Sequence, residues 1–496
     1  MSPGPGAASA PAPDHRATST SLFSSLKVRN YRIFFLGGTV SNTGTWMQRI
    51  AQDWLIHTLT GSAAAVGITM ALQFLPMLLF GLYGGVLADR LDKRKLLLCT
   101  QSAMGLTGLA LAALTLSGQV NEYHVYALAF VLGLVTVVDN PARQTFVHDM
   151  VGPHLLRNAI SLNSANFQSA RIVGPAVAGV MISAVGSGWA FLFNGLSFLA
   201  PITALLLMRT AELNSVERAP RGKGQLRAGL RYVGSRPELF WPIVLVTFVG
   251  TFGFNFPIWL VAFTDQIFQA DAGTYGLLNT LMAIGSLAGA LLAAKRGSSR
   301  MRFTVLVAGL FGVLLMTAAA APFFLVFAAL MVPIGLVGMT FIITANTSLQ
   351  LASSPEMRGR VISLFMMVFV GSTPIGGPLL GWVTDAFGAR VGLLTGGLFC
   401  AASALTVALI LARLGGLRVR IDPRRGRHAV RFVPRDADAG TPDAAPPGPG
   451  VPQAAGPTAE GAAPAEEAGK AESTGEPAGG TGAGRAPHSR STTPRE

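Results

Sequence analysis

Long apolar segments separated by short polar joints occupy most of the chain, from about residue 32 to residue 412. Each segment reaches the roughly 20 residues that a helix needs to cross about 30 Å of hydrocarbon. Because hydrocarbon offers the backbone no hydrogen-bonding partner, we expect every crossing to be helical. The pattern therefore predicts an all-α membrane protein with twelve transmembrane helices. These lie at residues 32–58, 65–88, 96–117, 123–149, 157–184, 189–208, 240–265, 273–294, 303–321, 323–351, 358–385 and 390–412.

Lysine and arginine cluster in every second joint. The main clusters fall at 90–95, 209–236, 295–302 and 358–360, whereas the alternate joints contain a single basic residue, Arg390. Basic residues accumulate on the cytoplasmic side of inserted helices. The alternation predicts a multi-pass protein of the cell inner or plasma membrane with both termini in the cytoplasm.

The joint at 209–239 is the longest and divides the predicted helices six and six. Beyond the last helix, residues 413–435 contain eight Arg and one Asp, a composition that is attracted to anionic lipid headgroups. Residues 436–496 are rich in Ala, Gly, Pro and Glu and have too little apolar content to fold. The predicted organisation is a disordered N-terminus, an N-terminal six-helix half, a cytoplasmic linker, a C-terminal six-helix half, a basic juxtamembrane segment and a disordered acidic tail. Their bounds are 1–25, 26–208, 209–239, 240–412, 413–435 and 436–496.

Composition excludes the soluble multidomain protein that a length of 496 residues would otherwise suggest. Charged residues make up 12% of the chain, about half the share of a soluble domain. The net charge of +14 would suit a nucleic-acid-binding protein, but the basic residues lie between long apolar segments, so we expect no nucleic-acid partner. Two cysteines, Cys99 and Cys400, both inside apolar segments, exclude a disulfide framework and a zinc cluster.

Comparison of the sequence with itself reveals an ungapped repeat at an offset of 202 residues. The matched pairs are Pro153 with Pro355, Ile160 with Ile362, Ser161 with Ser363, Leu162 with Leu364, Gly174 with Gly376, Gly179 with Gly381 and Gly186 with Gly388. They lie in predicted helices five and eleven, six crossings apart, so both copies run in the same direction. This indicates parallel halves related by an axis along the membrane normal, with a substrate site between them.

The joint between predicted helices two and three resembles the signature loop of the major facilitator superfamily. The residues that fit this loop are Gly85, Leu87, Asp89, Arg90 and Arg94, and Asp92 stands where a second Gly is usual. The resemblance implies the major facilitator fold and transport without a cofactor, driven by the proton motive force. Asp89 is expected to pair with Arg358 or Arg360, or to face the positive N-terminus of helix eleven, which would latch the cytoplasmic side shut. A simple cytoplasmic anchor is the alternative role for this loop.

Five further stretches resemble the drug-efflux branch of that superfamily that is similar to enterobactin exporters. They are residues 42–48, 52–55, 59–62, 139–144 and 171–179. The resemblance covers about residues 25–412 and implies export of amphipathic small molecules, such as drugs, siderophores or secondary metabolites, by proton antiport with alternating access.

Helix five contains a pattern similar to the antiporter signature of such exporters. Gly174, Pro175 and Gly179 fit the signature, whereas Ala170 and Ala178 stand where it has Gly. The match to the antiporter signature therefore favours antiport, although two of its glycines are replaced by alanine.

Five ionisable residues fall at membrane depth, all in the first half, and residues of this kind are functional hypotheses by default. They are Arg49 and Asp53 on helix one, Asp139 and Arg143 on helix four, and Arg171 on helix five. Asp53 and Asp139 are equally ranked candidates for the proton carrier, and the three arginines are their candidate counter-ions. The alternative is two permanent ion pairs, Arg49 with Asp53 and Asp139 with Arg143, that only hold helices together.

Neutral polar residues supply candidates for the wall of a substrate cavity. Asn42, Thr45 and Gln52 recur at helical spacing with Arg49 and Asp53, which places them on one face of helix one. The other candidates are Gln168 on helix five, Asn255 on helix seven and Thr344 on helix ten. The partners we expect are a small-molecule substrate, protons and membrane lipid, and we expect a monomer.

Two other functions stay open at this stage. A proton-coupled importer shares the fold and the gating loop with an exporter, and a non-transporting sensor or a channel is the alternative of another class. We do not expect an enzyme, because Gly222-Lys223-Gly224 lacks the spacing of a phosphate loop and no two His residues stand at metal-ligand spacing.

Overall fold

The computed structural model describes residues 23–213, 225–296, 301–414, 417–421 and 430–434. A 3₁₀ turn, Ser24–Lys27, precedes the first half of a helical bundle. This half comprises α1 (Arg29–Thr60), α2 (Ala63–Arg90), α3 (Lys93–Leu116), α4 (Glu122–Val185), α5 (Ser187–Ser197) and α6 (Leu199–Leu206). After a short 3₁₀ turn, Thr210–Glu212, the joint between the halves contains α7 (Gln225–Gly234).

The second half repeats this pattern of long helices and short joints. It comprises α8 (Pro237–Gly253), α9 (Phe256–Ala262), a π-helical turn (Phe263–Ile267), α10 (Ala272–Arg296), α11 (Met301–Ala319), α12 (Phe324–Ala352), α13 (Pro355–Gly371), α14 (Thr373–Phe387) and α15 (Ala389–Leu414). A short antiparallel hairpin follows the helical bundle. Its strands are β1 (Leu417–Ile421) and β2 (Val430–Pro434), with Leu417 opposite Pro434 and Ile421 opposite Val430.

Ten helical stretches in the described part of the chain are long and apolar enough to cross a membrane. One of them is α4, whose 64 residues leave helical geometry only at Gly152, with φ 68° and ψ 178°. Glycine adopts a positive φ at little cost, and Pro153 is well suited to begin the helix that follows. The joint expected at 150–156 is therefore a single-residue break, with helical limbs at 122–151 and 153–185.

Helix α1 is not among the ten, although its 32 residues extend about 48 Å at 1.5 Å per residue. Its polar and ionisable residues lower its hydropathy. The predicted helix at 240–265 is also not continuous, because α8 ends at Gly253 and α9 begins at Phe256. Pro257, in the first turn of α9, lacks the N–H that an uninterrupted helix would require.

Short joints reverse the chain direction between consecutive long helices, so the bundle has two ends. We call the end where α1 begins and α15 finishes the near end, and the opposite one the far end. The joints at the far end are 61–62, 117–121, 186, 268–271, 320–323 and 388.

Glycines allow the two halves to pack closely at two places. A Cβ atom added at Gly67 of α2 would collide with the backbone of Gly377 on α14, and one added at Gly276 of α10 would lie 2.5 Å from the carbonyl oxygen of Pro175 on α4. Small residues permit such backbone contact between membrane helices. The two halves therefore contact each other closely at two helix pairs. One pair is α2 with α14, and the other is α4 with α10.

Candidate functional site

Asp139 lies on the first limb of α4 and is 1% exposed. Its Oδ1 accepts hydrogen bonds from Thr100 Oγ1 and Gln101 Nε2, both at 2.7 Å, and these donors lie on α3. Its Oδ2 accepts from Arg143 Nη2 at 3.0 Å and Nε at 3.2 Å. Four donors from a single half of the molecule thus hold this carboxylate in an ion pair.

Asp53 lies on α1, is 8% exposed and has a different environment. Its Oδ2 accepts one hydrogen bond, from the Tyr275 hydroxyl at 3.1 Å, and Tyr275 lies on α10 in the second half. Within the described residues, no ion pair of 4.0 Å or less joins Asp53 to Arg49. Of the two permanent ion pairs considered from the sequence, the structure contains Asp139–Arg143 and not Arg49–Asp53.

Arg49 and Arg171 lie against one aromatic ring. The guanidinium carbons are 5.1 Å and 5.7 Å from the centroid of the Trp46 ring, and that of Arg49 is also 5.7 Å from the Phe74 ring. Cation–π attraction favours both positions. Neither arginine forms a hydrogen bond or an ion pair with any residue in the described ranges. Two embedded cations therefore share a tryptophan, and neither lies within 4.0 Å of an acidic group in the described residues.

The antiporter-like motif of Gly174, Pro175 and Gly179, on the second limb of α4, brings Arg171 to this position. A Cβ at Gly174 would lie 2.5 Å from Trp46 Cβ, and one at Gly179 would lie 3.1 Å from the carbonyl oxygen of Gly273 on α10. The second limb of α4 is thereby packed against α1 on one side and α10 on the other.

A polar cavity of about 100 Å³ lies inside the first half. This is room for about three waters at roughly 30 Å³ each, and too little for a drug-sized ligand. Gln48, on the same wall, accepts a hydrogen bond of 2.5 Å from Asn194 Nδ2. The lining includes the predicted residues Asn42, Thr45, Arg49, Gln52, Asp139 and Arg143.

A second cavity, of about 190 Å³, lies in the second half and is mostly apolar. Arg171 reaches it from the first half, and the break between α8 and α9 brings Phe254 and Phe256 into its wall. Met282 and Phe369 also line it. Its volume is below the 300–1,000 Å³ of a site for a whole drug-sized molecule, so it has room for one ring or branch of a larger ligand.

Three of the predicted cavity residues line neither of these two cavities. Asn255 is fully buried, and its Nδ2 donates to the carbonyl of Thr251 at 2.7 Å. Thr344 donates to the carbonyl of Phe341 at 3.1 Å. Gln168 lies on the second limb of α4, half-buried.

Hydrogen bonds join the two halves at the far end. His57 Nε2 lies 3.0 Å from Asp265 Oδ2, and Ser183 Oγ donates to Asp271 Oδ2 at 2.8 Å. Asp385 at the end of α14 accepts from the start of α2, with 2.7 Å between its Oδ1 and the backbone nitrogen of Ala63. Hydrogen bonds from Ser183 and Thr274 hold the pKa of Asp271, which lies in a joint, below its usual value. Sequence reasoning selected none of these acids.

Three of the predicted gate residues at the near end, Arg94, Arg358 and Arg360, bond within their own halves. Arg94 donates to the carbonyls of Leu205 and Leu206 at 2.7 Å and 3.1 Å. Arg358 donates to the carbonyl of Gln350 at 3.2 Å, and Arg360 contacts Met357 Sδ at 3.2 Å.

Asp89 in the signature loop is half-buried and Arg90 is exposed. Neither Arg358 nor Arg360 pairs with Asp89 in this conformation, and their hydrogen bonds go to Gln350 and Met357. The latch stays a prediction for a conformation in which the near end closes.

Parallel halves, small residues where the helices meet, and ionisable groups inside the bundle define a membrane transporter of the major facilitator type. Residues 20–422 match the family of transmembrane secretion effectors, and the chain belongs to that family.

Three characterised relatives are similar over most of their length. The staphyloferrin A transporter of Staphylococcus aureus is 25% identical over 72% of this chain and 90% of its own. The multidrug efflux pump Tap of Mycolicibacterium fortuitum is 27% identical over 72% and 89%. The enterobactin exporter EntS of Shigella boydii is 24% identical over 71% and 84%. The predicted resemblance to the major facilitator superfamily and its enterobactin-exporter-like branch is thus confirmed.

The fold has a counterpart among solved structures. The crystal structure of a bacterial homologue of the human lysosomal transporter Spinster, inward-facing and unoccupied, superposes with a TM-score of 0.60 at 15% identity. The match covers 77% of this chain and 95% of that one. The fold agrees with the family match and the relatives, which show that the protein is a multi-pass membrane transporter and not an enzyme.

Proposed function

We propose that this chain exports amphipathic small molecules, such as drugs, siderophores or secondary metabolites, by proton antiport with alternating access. The observation that carries the proposal is the asymmetry between the two ends of the bundle. Hydrogen bonds bridge the halves at the far end, whereas Arg94, Arg358 and Arg360 at the near end bond within their own halves. This asymmetry suits an exporter, which receives its substrate from the near end, and the relatives named as an efflux pump and an exporter favour that direction over import.

The near end is the cytoplasmic end in this proposal, and the chain crosses the membrane twelve times. The ten apolar stretches become eleven when α4 is divided at Gly152, and α1 is the twelfth. Basic clusters at 90–95, 209–236 and 358–360 all belong to near-end joints, and such clusters favour the cytoplasm. Both termini then lie in the cytoplasm, and the membrane is the cell inner or plasma membrane.

Asp53 is the better of the two candidate proton carriers. A carrier must change its exposure during the cycle, and separation of the halves at the far end breaks the bond between Asp53 on α1 and Tyr275 on α10. The four bonds to Asp139 come from α3 and α4, so they move together with the first half. The structural difference therefore supports Asp53 as the carrier and Asp139 as part of a structural ion pair.

The test uses everted membrane vesicles energised by respiration, with ethidium, tetracycline and a catecholate siderophore as probes. An exporter accumulates at least one probe in these vesicles, and the probe causes proton release that Asp53→Asn abolishes. Asp149→Asn is a control. Its carboxylate lies 2.6 Å from Lys93 Nζ at the near end, and Asp149 lines neither cavity. If the probes accumulate in intact cells and not in everted vesicles, the protein is an importer.

A further inference from the structure

Arg49 and Arg171 are the embedded arginines of the first half that form no ion pair within 4.0 Å in the described residues, although Asp53, one turn away, attracts Arg49 at longer range. The third, Arg143, pairs with Asp139. An uncompensated charge at membrane depth is costly, and such charges mark substrate or ion pathways. The carboxylate of Asp139 is already bonded by four donors, and that of Asp53 is bonded by Tyr275.

The two arginines are close enough to act on one ligand. Their guanidinium carbons lie 5.1 Å and 5.7 Å from the Trp46 ring centroid, so they cannot be farther apart than the sum of these distances, 10.8 Å. Each presents a planar fork of N–H donors that matches a carboxylate or another oxyanion. Like charges at this separation repel each other, and an anion between them removes the repulsion.

Each arginine also lines one of the two cavities. Arg49 lies in the wall of the polar cavity of the first half, and Arg171 lies in the wall of the aromatic cavity of the second half. A ligand bound at both would have its acidic group beside polar side chains and its apolar part beside Phe254 and Phe369. The arrangement selects for charge at one end of the ligand and for an apolar ring at the other.

We propose that Arg49 and Arg171 bind the acidic group of the transported molecule, which makes the substrate class an organic anion with an aromatic or apolar body. The assignment rests on the proposed transport function and specifies its substrate. The alternative is that the arginines only stack on Trp46 to hold α1 and α4 together. The two roles differ in one measurable respect, because a packing role gives no preference for a negatively charged ligand.

Binding of three ligands of the same shape and different charge separates these roles. The probes are naphthoate, its neutral amide naphthamide, and cationic naphthylmethylammonium, titrated by calorimetry against the full chain in lipid nanodiscs. We expect naphthoate to bind at least about tenfold more tightly than naphthamide, and the cation to bind most weakly. Arg49→Gln and Arg171→Gln should each abolish the preference for naphthoate.

For each variant, the ratio of its affinities for the three ligands is compared. This ratio does not depend on how much protein is folded, because a damaged protein loses affinity for all three ligands alike. Arg171→Lys retains the charge and should retain a preference for the anion. Arg296→Gln is the matched control: Arg296 also lies over an aromatic ring, 4.0 Å from the Phe303 centroid, but lines neither cavity. It should bind the probes as the unmodified protein does.

Equal affinities for naphthoate and naphthamide in the unmodified protein, or no binding of naphthoate, overturn the proposal. So does a preference that survives in both glutamine variants. The vesicle experiment separates this result from failure of the transport function. An arginine-dependent preference without vesicle accumulation contradicts export and leaves the anion site intact, whereas accumulation without a charge preference contradicts the anion site alone.

Discussion

Asp53 and Asp139 are both embedded aspartates one helical turn from an arginine, yet their surroundings differ. All four donors to Asp139 come from α3 and α4 of the first half, whereas the donor to Asp53 is Tyr275 of the second half. A rigid-body motion of one half against the other preserves the first set of bonds and breaks the second. A buried carboxylate whose bonds lie within one half can therefore stabilise that half throughout transport. A carboxylate that is bonded between the halves can change its environment when the conformation changes.

The neighbouring arginines show the same contrast. Arg143 forms an ion pair of 3.0 Å, whereas Arg49 lies on the rings of Trp46 and Phe74. The embedded arginines without an ion pair in the described residues thus lie beside Trp46, with Arg49 in the wall of one cavity and Arg171 in the wall of the other.

Replacing Asp139 by Leu should give the greatest loss of stability. It leaves Arg143 in the bundle without its carboxylate, and breaking a buried pair in this way costs about 3–5 kcal/mol. Thermal unfolding of the purified protein should therefore begin at a clearly lower temperature.

The double variant Asp139→Leu/Arg143→Leu is the matched control, because replacing both members of a buried pair by apolar residues is often neutral. It should recover most of the lost stability. An Asp139→Leu protein as stable as the unmodified one would show that the ion pair has no structural role.

Asp53→Asn should abolish coupled transport and leave folding almost unchanged. One proton moving through a potential of about 150 mV supplies roughly 3.5 kcal/mol, enough for a substrate gradient of a few hundredfold. A variant that cannot carry the proton should show no gradient in everted vesicles, although it still equilibrates the substrate.

Asp139→Asn, measured in the same vesicles, sharpens the comparison. It keeps a polar side chain for Thr100 and Gln101, and we expect it to retain a substrate gradient, at a lower stability. If Asp139→Asn loses the gradient and Asp53→Asn keeps it, the assignment of the proton carrier must be reversed.

The helices could be predicted from the sequence because their signal is local. The segment predicted at 65–88 is α2, Ala63–Arg90, and the one predicted at 96–117 is α3, Lys93–Leu116. The interruptions were harder to locate. The break between α8 and α9 is marked only by Pro257 two residues downstream, and a proline within an apolar run is compatible with a kink as well as with a break.

The site was only partly predictable because its partners are distant in sequence. The stripe of Asn42, Thr45 and Gln52 does line a cavity, since helical spacing places these residues on one face. Tyr275, in contrast, is 222 positions from Asp53, and no local pattern connects them. Asp265 and Asp385 are the last residues of the predicted helices 240–265 and 358–385, where a charge is ordinary, so nothing local marked them as contacts between the halves.

Tyr275→Phe tests the contact between the halves directly. It removes the hydroxyl that donates to Asp53 and keeps the ring, which stacks 6.0 Å from Trp54. A hydrogen bond contributes about 1 kcal/mol, so opening at the far end should become about fivefold more frequent. The rate at which a membrane-impermeant maleimide added from the far side labels Gln52→Cys, with Cys99 and Cys400 replaced by serine, measures this opening.

Thr280→Val is the control for Tyr275→Phe, because Thr280 also lies on α10 at the contact between the halves. Its hydroxyl is 3.5 Å from the carbonyl of Ile172, at the limit of hydrogen bonding, and bonds to Gly276 within α10 at 2.9 Å. Its removal should change labelling little. Equal labelling in Tyr275→Phe and the unmodified protein would mean that the bond to Asp53 does not help to close the far end.

The smallest effect is expected from acidification at the far end. The hydrogen bond from Ser183, in the other half, lowers the pKa of Asp271 when the far end is closed, so the ionised form favours closure. This contribution is present above the ordinary pKa of about 4 and is lost as the pH falls through the lowered value. The accessibility of a spin label at Gln52→Cys to a water-soluble paramagnetic quencher should therefore be slightly greater at pH 3 than at pH 6. Ser183→Ala removes the main cause of the lowered pKa and should reduce this difference, and an unchanged difference would show that Asp271 does not cause the pH response.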